Sequence, residues 1–460
     1  MHRSAVHGTA IAILACLAAC APPTESVESA PEPTFSMRVV TDGLESPWEV
    51  TWGPDDRLWV TERQGFRIVR IDPADGSRSV AGEVEGIYQI VQQDGLLGLA
   101  LHPDLMSGTG NDFVYVAYTY DADPAAGGDP KNAIRRYRWD EASESLVDPE
   151  DLIRGLPVHD DHFGGRLVFG PDRKLYLTIG DGGANFGRNR CNPNYAQLTP
   201  TTEQVAASDW FAYQGKILRL DPDGSIPDDN PVIDGVRSHV YSYGHRNPQG
   251  LAFGPDGTLY AAEHGPSTDD EVNRIEAGMN YGWPNVAGYP DNQMYAWENW
   301  AASSPTPCAE LTGGRDGPPE SVPVAAETDF DHPDFIRPIQ TLFTVPADYN
   351  FQESGSATVA PSGLDIYTSD AIPGWADSLL LASMTRGTIY RMPLSRDGRL
   401  VVGGLFSEFK STNRYRDLAI RPDGAAVYIV TDTTGGTTNE SGERTADLVN
   451  PGAILEFRLD

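Results

Sequence analysis

Short runs of alternating apolar and polar residues recur along the chain, and most of them follow a turn that contains proline. Residues 175–179, LYLTI, form one such run, directly after the turn GPDRK. Alternation with a period of two is typical of a β-strand with one buried face, and Pro-Asp pairs favour tight turns. The combination of turn and strand is repeated at residues 52–63, 101–119, 169–181, 253–265, 360–370 and 421–433.

A second apolar strand precedes several of these turns, as in GLLGLALHP (95–103) and GGRLVFGP (164–171). Further strands follow them, for example within residues 215–224 and 387–398. Six repeats of strand, turn and strand predict an all-β fold, a six-bladed β-propeller. The N-terminal SMRVVTDGL and the C-terminal GAILEFRLD then complete one blade together and remove its open edge. Two β-sandwiches are the alternative, but they do not account for a repeated phrase.

Polar loops precede the inner strands of four repeats, at residues 91–95, 158–163, 244–250 and 413–417. Equivalent loops of a propeller meet at one end of its central channel, so we expect their side chains to converge on one site. The polar side chains gathered in this way are Gln93, Asp161, His162, Arg246, Asn247, Arg414 and Arg416.

The stretch VHDDHFGGRLVFG (158–170) contains the group best suited to proton transfer. A neutral histidine beside a carboxylate accepts a proton near neutral pH, so His162 is a candidate general base. A histidine that only makes loop hydrogen bonds is the alternative. Asp160 is expected to be solvated, and Gly164 and Gly165 are expected to let the chain pass close to a ligand.

Two other features suggest ligands. Several arginines at one mouth suit a planar ligand with several carboxylates. The acid-rich segment EHGPSTDDEVN (263–273) suggests a cation bound by oxygen, such as Ca²⁺, with a solvated acidic turn as the alternative.

The composition excludes one class of partner. The chain has 460 residues and a formal net charge of −32, without a large cluster of lysine and arginine. Nucleic-acid binding requires such a basic footprint, so we expect no nucleic-acid partner. The 47 glycines and 36 prolines favour short strands and turns over long helices.

The N-terminal segment predicts export. His2 and Arg3 precede an apolar run that ends in LAAC at Cys20, an ending typical of a bacterial lipoprotein signal, in which the cysteine is lipidated. We therefore expect a signal peptide over residues 1–19, a flexible tether over 20–36 and the propeller over 37–460. The expected location is the bacterial cell envelope, facing the periplasm, or outside the cell. An ordinary secretory signal with a chance cysteine is the alternative.

Cys191 and Cys308 are the cysteines of the predicted propeller. An oxidising compartment permits a disulfide between them, and two unpaired thiols are the alternative.

A series of segments in a fixed order carries a family resemblance. The segments are DGLLGLALHP, GRLVFGPDRKLYLTIGD, YQGKILRLDPDGSIPDDNP, YSYGHRNPQGLAFGPDGTLY, HGPSTDDEVN, MNYGWPNVAGY and STNRYRDLAIRPDG. Their order and density resemble the soluble quinoprotein glucose dehydrogenases and the wider PQQ-dependent aldose sugar dehydrogenases. The resemblance runs from about residue 38 to 460. It implies a six-bladed propeller that binds PQQ and Ca²⁺, oxidises aldose sugars at C1 to the lactone and passes electrons to an external acceptor.

The resemblance also implies roles for individual residues. His162 is the implied general base, Asp181 orients it, and Arg246 polarises a quinone carbonyl. Asp161 and Gln93 are implied sugar contacts. The implied cofactor-binding residues are Asn247, Thr358, Arg414, Arg416 and Asp432. The implied calcium ligands are the backbone carbonyls of Gly265 and Pro266 in the active site and, at a separate structural pair of ions, Asp270, Glu271, Asp291 and the backbones of Tyr281 and Ala287.

The chain departs from the glucose enzymes near the implied cofactor. Thr385 stands where those enzymes have a cofactor-binding lysine, with Arg386 as the adjacent cation, and His264 stands in place of a glutamine. The loop before Thr358 is short, at residues 350–357, and lacks the disulfide and aromatic residues that cover the sugar there. These departures imply fewer cofactor contacts and a more open site that accepts a broad range of aldoses.

Two other functions stay open at the level of sequence. One is a metal-dependent sugar-lactone hydrolase on a propeller, and the other is a non-catalytic propeller that binds glycan or protein. The sequence is compatible with a monomer and with a homodimer.

Overall fold

The computed structural model describes residues 33–460, apart from residues 90, 92, 126–127, 186, 313–316 and 440. Six four-stranded antiparallel sheets form the blades of a propeller, which confirms the predicted all-β, six-bladed fold. The predicted signal peptide, Cys20 and most of the predicted tether lie outside the described residues. The first strand begins at Phe35, within the last two residues assigned to the tether.

The strands are numbered β1 to β30 in chain order. The first fifteen are β1 (Phe35–Thr41), β2 (Pro47–Trp52), β3 (Leu58–Glu62), β4 (Arg67–Ile71), β5 (Arg78–Glu83), β6 (Leu96–Leu101), β7 (Phe113–Asp121), β8 (Pro130–Asp140), β9 (Ser145–Pro157), β10 (Gly164–Phe169), β11 (Leu175–Ile179), β12 (Lys216–Leu220), β13 (Val232–Ile233), β14 (Val236–Arg237) and β15 (Val240–Tyr243). The others are β16 (Pro248–Phe253), β17 (Leu259–Glu263), β18 (Asp270–Ile275), β19 (Trp297–Glu298), β20 (Val324–Ala325), β21 (Gln340–Leu342), β22 (Pro361–Tyr367), β23 (Ser378–Ser383), β24 (Thr388–Pro393), β25 (Phe406–Glu408), β26 (Tyr415–Ile420), β27 (Ala426–Thr431), β28 (Thr437–Thr438), β29 (Arg444–Thr445) and β30 (Ile454–Leu459).

Short helices lie in the loops between strands. The α-helices are α1 (Thr202–Ala206) and α2 (Phe351–Ser354), and the 3-10 helices are Gly187–Asn189, Phe211–Tyr213, Trp300–Ala302, Cys308–Glu310 and Glu327–Asp329. None of the helices in the described part of the chain combines the length and the apolar character of a membrane span.

Each blade pairs its strands in antiparallel order. The blades are β2-β3-β4-β5, β6-β7-β8-β9, β10-β11-β12-β15, β16-β17-β18-β21, β22-β23-β24-β25 and β26-β27-β30-β1. The last blade joins the two ends of the propeller, with Met37 of β1 opposite Phe457 of β30, as the sequence predicted. The pairs β13-β14, β19-β20 and β28-β29 form small hairpins in loops.

The repeated turn phrase marks the connection between the first and second strands of five blades. The copy at residues 360–370 instead coincides with the first strand of its blade, β22. The turn that follows, residues 368–377, contains no Pro-Asp or Pro-Ser pair. The predicted position of this repeat was therefore wrong, because a Pro-Ser pair at a strand start resembles the turn signal.

The first strand of every blade faces the central channel. Each of these strands, β2, β6, β10, β16, β22 and β26, contacts the equivalent strand of both neighbouring blades. Apolar side chains fill the space between blades, as Leu97, Tyr115, Leu167 and Leu177 do between the second and third. Each such side chain stabilises the fold by about 1.5–3 kcal/mol when fully buried. This packing fixes where the loops at the channel mouth begin.

Candidate active site

His162 lies in the loop that enters β10, at one end of the channel. Its backbone has a φ of 49°, in the left-handed region that side chains rarely adopt and that is frequent at functional sites. A Cβ at Gly164 would lie 2.8 Å from the carbonyl oxygen of Thr178, and one at Gly165 would lie 2.6 Å from Leu97 Cδ1. These glycines therefore provide space for packing against other strands, which corrects the interpretation that they make room for a ligand.

Asp181 orients the imidazole of His162, as the resemblance implied. His162 Nδ1 lies 2.6 Å from Asp181 Oδ1. Trp283 Nε1 and Asn194 Nδ2 donate to Asp181 Oδ2 at 2.7 and 2.9 Å. Burial acts to raise the pKa of Asp181, but His162, Arg246 and the Trp283 hydrogen bond hold this pKa below its ordinary value. An ionised carboxylate that accepts the Nδ1–H leaves the lone pair of the neutral ring on Nε2, where a proton can be taken up.

The loop after Asp181 is held by contacts to a segment far along the chain. Cys191 and Cys308 form a disulfide, which settles the alternative that the sequence left open. The backbone N–H of Trp300 donates to the side-chain oxygen of Asn185 at 2.9 Å. These links fix the loop that supplies an amide donor to the Asp181 carboxylate.

The polar loops converge on one cavity of about 310 Å³, which we call the active-site cavity. All seven side chains that the sequence gathered line it: Gln93, Asp161, His162, Arg246, Asn247, Arg414 and Arg416. The other lining residues are Trp48, Arg63, Phe163, Gln249, His264, Gly265, Ser267, Thr358, Ala360 and Met384. Cavities of this size accommodate small ligands and cofactors.

The two acids next to His162 have different surroundings. Asp161 lines the active-site cavity, and its Oδ1 accepts the backbone N–H of His162 at 2.9 Å. Asp160 forms an ion pair with Arg188, whose Nε lies 2.6 Å from its Oδ2. The sequence suggested that Asp160 is merely solvated. The ion pair instead shows that Asp160 holds the neighbouring loop.

Three guanidinium groups, which we call the arginine cluster, line one cavity: Arg63, Arg414 and Arg416. Arg416 Nε and Nη2 donate to Asp432 Oδ1 and Oδ2 at 3.1 and 2.8 Å, and Arg414 Nε donates to Oδ2 at 3.3 Å. Burial and the neighbouring Arg416 lower the pKa of Arg63 to about 10, although Asp432 and Asp94 oppose the shift. This cluster suits a ligand with several carboxylates, because such a ligand offsets the repulsion among the cations.

Arg63 was missed by the sequence analysis. It follows β3, the second strand of its blade, whereas the sequence search considered loops before inner strands. Its backbone explains its position: Arg63 N–H donates to Ser46 O at 3.0 Å, and Arg63 O accepts the N–H of Leu96 at 3.2 Å. The residue is therefore fixed between two blades at the channel mouth.

Thr385 and Arg386 do not supply a cation to this cavity. The Thr385 hydroxyl donates to the carbonyl oxygen of Thr358 at 2.9 Å, and so supports a lining residue from behind. Arg386 Nη2 donates to the carbonyl oxygens of Ser356 and Ala357 at 3.4 and 3.3 Å. Neither side chain is among those that line the active-site cavity. Arg386, the adjacent cation, therefore does not take the place of the absent lysine.

Arg246 and His264 form a further part of the cavity wall. Arg246 Nη1 donates to the carbonyl oxygen of His264 at 3.1 Å, and its guanidinium lies 5.3 Å from the Trp283 ring centroid. Burial lowers the pKa of Arg246, although Asp181 opposes the shift. Burial, Arg246 and His162 lower the pKa of His264 to about 3. His264 is thus neutral at physiological pH and donates its Nε2–H to the carbonyl oxygen of Pro361, 2.7 Å away.

Asp270 and Glu271, both predicted ligands at a structural pair of calcium ions, lie on opposite faces of β18. Asp270 accepts the backbone N–H groups of Gly265 and Val359 at 2.9 and 2.7 Å, and burial raises its pKa to about 6. Glu271 accepts the N–H of Gly288 at 2.6 Å. Adjacent residues on a strand point to opposite faces, so these two carboxylates do not face one pocket, and their roles as calcium ligands stay a prediction. Asp270 instead fixes the turn at Gly265.

Glu271 belongs to an acidic cluster in which Asp269, Asp291 and Glu327 interact electrostatically. Glu327 accepts the backbone N–H groups of Ala287 and Asn292 at 3.0 and 2.9 Å. Asp269 lies in the acid-rich segment 263–273 that the sequence singled out, whereas Glu327 was missed because it comes from a long insertion between β18 and β21. Within the residues that the structure describes, no three His, Cys, Asp or Glu side chains are grouped as metal ligands.

The remaining predicted metal ligands are backbone groups. Gly265 lines the active-site cavity, and its carbonyl oxygen accepts the N–H of Ser267 at 3.0 Å. Pro266 is half-buried and is not among the lining residues. The Tyr281 ring stacks on His245 with centroids 4.7 Å apart, which places Tyr281 in the core beneath the acidic cluster's strand β18.

Comparison with known proteins identifies the family of this chain. A model of the glucose/sorbosone dehydrogenase family matches residues 44–301 and 345–440. The chain belongs to this family. It is 41% identical over 436 residues to quinoprotein glucose dehydrogenase B of Acinetobacter calcoaceticus. This match covers 92% of the chain and 91% of the relative. It is 27% identical over 410 residues to an aldose sugar dehydrogenase of Escherichia coli, covering 88% and 91% of the two chains.

A solved structure agrees with this assignment. The PQQ-bound form of an aldose sugar dehydrogenase from Streptomyces coelicolor superposes with a TM-score of 0.62 and 28% identity, covering 94% of this chain and all of the other. The glucose/sorbosone dehydrogenase family and these relatives identify the chain as an oxidoreductase of the quinoprotein sugar-dehydrogenase type.

Proposed function

We propose that this enzyme oxidises aldose sugars at C1 to the corresponding lactone, with PQQ as its cofactor and an external acceptor for the electrons. One observation carries the proposal: the His162–Asp181 pair and the arginine cluster meet at the same cavity. A proton acceptor and a site for an anionic ring are the two features that such a reaction requires.

His162 is the base in this proposal. Its Nε2 takes the proton of the C1 hydroxyl, and the Asp181 carboxylate, 2.6 Å from Nδ1, stabilises the imidazolium that results. The C1 hydrogen leaves with its electron pair, for which bound PQQ supplies the acceptor that no side chain provides. Asp161 and Gln93 line the same cavity and are suited to hold sugar hydroxyls by hydrogen bonds.

The chemistry of the lining side chains fits PQQ, a planar ring with several carboxylates. The guanidinium groups of the arginine cluster provide forked donors, and Asp432 fixes the orientation of Arg416 by two hydrogen bonds. Asn247 and Thr358 add neutral polar groups to the wall. Arg246 is buried and cationic, and is therefore suited to polarise a quinone oxygen.

Calcium is part of the same proposal. The carbonyls of Gly265 and Pro266 would provide oxygen ligands at the cofactor, and Asp270 would hold their turn in place by its hydrogen bond to Gly265. A structural ion would require the carboxylates of Glu271, Asp291 and Glu327, which the described part of the structure does not group as a ready ligand set, together with backbone oxygens of Tyr281 and Ala287. Donor sets made only of oxygen favour hard cations such as Ca²⁺.

We propose further that the protein is exported to the cell envelope and held there by a lipid on Cys20. The LAAC ending supports this location, and so does the Cys191–Cys308 disulfide, since disulfides form in oxidising compartments. Labelling of expressing cells with a palmitate analogue should mark the wild-type protein and not Cys20→Ser. Equal labelling of both proteins would contradict the anchor, and a released wild-type protein would indicate ordinary secretion.

The activity is tested by reconstitution. The apoprotein is incubated with PQQ and Ca²⁺, and reduction of an artificial dye is followed with a panel of aldoses. Sugar-dependent reduction is expected, and His162→Ala should abolish it while the absorbance change of PQQ binding is kept. Hydrolysis of sugar lactones without dye reduction would instead indicate a hydrolase. Failure of PQQ to bind would overturn the proposal in favour of a non-catalytic propeller.

A further inference from the structure

A second cavity, of about 590 Å³, lies at the opposite end of the inner strands, and we call it the distal cavity. The active-site cavity is lined by residues at the starts of these strands, such as His162 and Arg246, whereas the distal cavity is lined by residues at their ends, such as Phe169 and Phe253. The two cavities share no lining residue among those that the structure describes.

A ring of equivalent positions on the six inner strands separates the cavities. Its members are Glu49, Gly98, Arg166, Gly250, Gly363 and Asp417. Arg166 Nη1 lies 2.6 Å from Glu49 Oε1 and 2.9 Å from Asp417 Oδ2. The guanidinium also lies 4.4 Å from the ring centroid of Trp48, which lines the active-site cavity. The charged side chains therefore occupy the space that the three glycines leave in the channel.

The distal cavity has an acidic floor with unused hydrogen-bonding capacity. Glu49 is 6% exposed and lines the cavity, and its Oε2 has no hydrogen-bond partner among the described residues. Asp365 lies two residues after Gly363 on β22 and also lines the cavity. It accepts the backbone N–H of Ile366 at 2.7 Å. A buried carboxyl oxygen without a partner is unfavourable, so the floor favours a ligand that donates hydrogen bonds.

The walls of the distal cavity are apolar. They include Leu99, Leu101, Leu105, Phe169, Phe253 and Leu364. The titratable and charged groups that face the cavity are Glu49, Asp56, His102, Arg166, Asp365 and Asp417. Burial lowers the pKa of His102, so this histidine is neutral at pH 7, and Arg166 is the permanent cation opposed to the acids. An acidic floor beneath apolar walls matches a ligand with a cationic head and an apolar chain.

We propose that the distal cavity binds a small organic amine, with its ammonium group on Glu49 and Asp365 and its apolar chain against the leucine and phenylalanine walls. An ammonium group supplies up to three donors to oxygen acceptors and balances the surplus of carboxyl groups. The site is separate from the proposed dehydrogenase chemistry, because the Glu49–Arg166–Asp417 ring lies between them.

The proposal includes a proton balance. Burial raises the pKa of Asp365 to about 7, and the negative charge of Asp417 adds to this shift. Burial and Asp417 also raise the pKa of Glu49, although Arg166 acts to lower it. Asp365 is thus partly protonated near pH 7 when the cavity holds no cation. Binding of an ammonium group favours the ionised form of Asp365, and a proton is released when this carboxyl ionises.

The probe is n-hexylammonium, with n-hexanol as the neutral control of equal chain length. In titration calorimetry we expect saturable binding of the amine, about tenfold tighter at pH 8 than at pH 6 because Asp365 ionises in this interval. The measured heat should differ between phosphate and Tris buffers, since the released proton is taken up by the buffer. Equal binding of hexanol, or no saturable binding of the amine at pH 8, would overturn the proposal.

Two variants locate the site. Asp365→Asn should weaken amine binding at pH 8 and remove its pH dependence between pH 6 and 8. Asp56→Asn, at an exposed acid on the cavity rim, should leave both unchanged. An unaltered pH dependence in Asp365→Asn would refute the assignment. The measurement uses neither PQQ nor sugar, so its result is independent of the proposed dehydrogenase activity, and a circular dichroism spectrum and Tm close to those of the wild type verify that the variant is folded.

Discussion

Nδ1 of His162 lies 2.6 Å from Oδ1 of Asp181, although nineteen residues separate the two along the chain. His162 enters β10 and Asp181 follows β11, so the antiparallel pairing of these strands brings the side chains together. The hydrogen bond fixes one tautomer of the imidazole and places a negative charge beside the nitrogen that becomes cationic. The neighbouring acids, Asp160 and Asp161, do not contact the ring in this way.

Replacement of this carboxylate should therefore reduce turnover more than binding. We expect Asp181→Asn to lower kcat by roughly 10²–10⁴-fold, because an amide neither stabilises the imidazolium nor enforces the tautomer. PQQ affinity should change little. The control is Asp160→Asn, which alters the acid paired with Arg188 and should retain most of the activity. A similar loss of kcat in both variants would mean that Asp181 acts only through loop structure.

Arg63 should contribute to cofactor affinity. A hydrogen bond to a charged group is worth about 1.5–3 kcal/mol, so Arg63→Gln should weaken PQQ binding by roughly 10–100-fold, with kcat nearly unchanged at saturating PQQ. Arg67→Gln is the matched control, since Arg67 pairs with Glu62 and Glu45 away from the cavity. Affinity is followed by fluorescence titration at two salt concentrations, and the wild-type value should show the stronger salt dependence. Wild-type affinity in Arg63→Gln would exclude this role.

The fold and the convergence of the polar loops followed from local sequence patterns. Strand alternation and Pro-Asp turns are set by neighbouring residues, and the propeller then places equivalent loops at one end. Arg63 and Glu327 could not be found in this way. Arg63 reaches the cavity because its backbone bonds to residues of two blades, and Glu327 reaches Ala287 from a long insertion. The opposite orientation of Asp270 and Glu271 was readable from strand alternation, but the family resemblance grouped them.

Removal of calcium should lower stability as well as activity. Treatment with EGTA is expected to reduce dye reduction and to lower Tm, and added Ca²⁺ should restore both better than Mg²⁺, which requires a stricter octahedral geometry. Glu327→Gln should lower the Tm of the calcium-loaded protein towards that of the chelated wild type. Asp329→Asn, an exposed neighbour, should not. If EGTA leaves the wild-type Tm unchanged, the structural calcium site does not exist.

His239 should make the fold less stable in mild acid. It is 4% exposed, its Nδ1 lies 3.1 Å from the Tyr213 hydroxyl, and burial lowers its pKa to about 4. In the unfolded chain a histidine has a pKa of about 6.5, so between about pH 6.5 and 4 the unfolded state binds more protons than the folded state. The contribution of neutral His239 to the free energy of unfolding is therefore present at pH 7 and is lost as the pH falls from about 6.5 to 4.

At pH 5 this loss amounts to about 2 kcal/mol for a shift of this size. We expect the difference in free energy of unfolding between pH 7 and pH 5 to shrink by about that amount in His239→Gln, as measured by denaturant titration at both values. His332→Gln, at a partly exposed histidine, should retain the wild-type difference. Carboxyl groups of raised pKa, such as Asp365, contribute with the opposite sign, because they favour the folded state at low pH. Their contribution is the same in the wild type and in the variant, so it cancels when the two pH differences are compared. A wild-type pH dependence in His239→Gln would show that His239 does not titrate with unfolding.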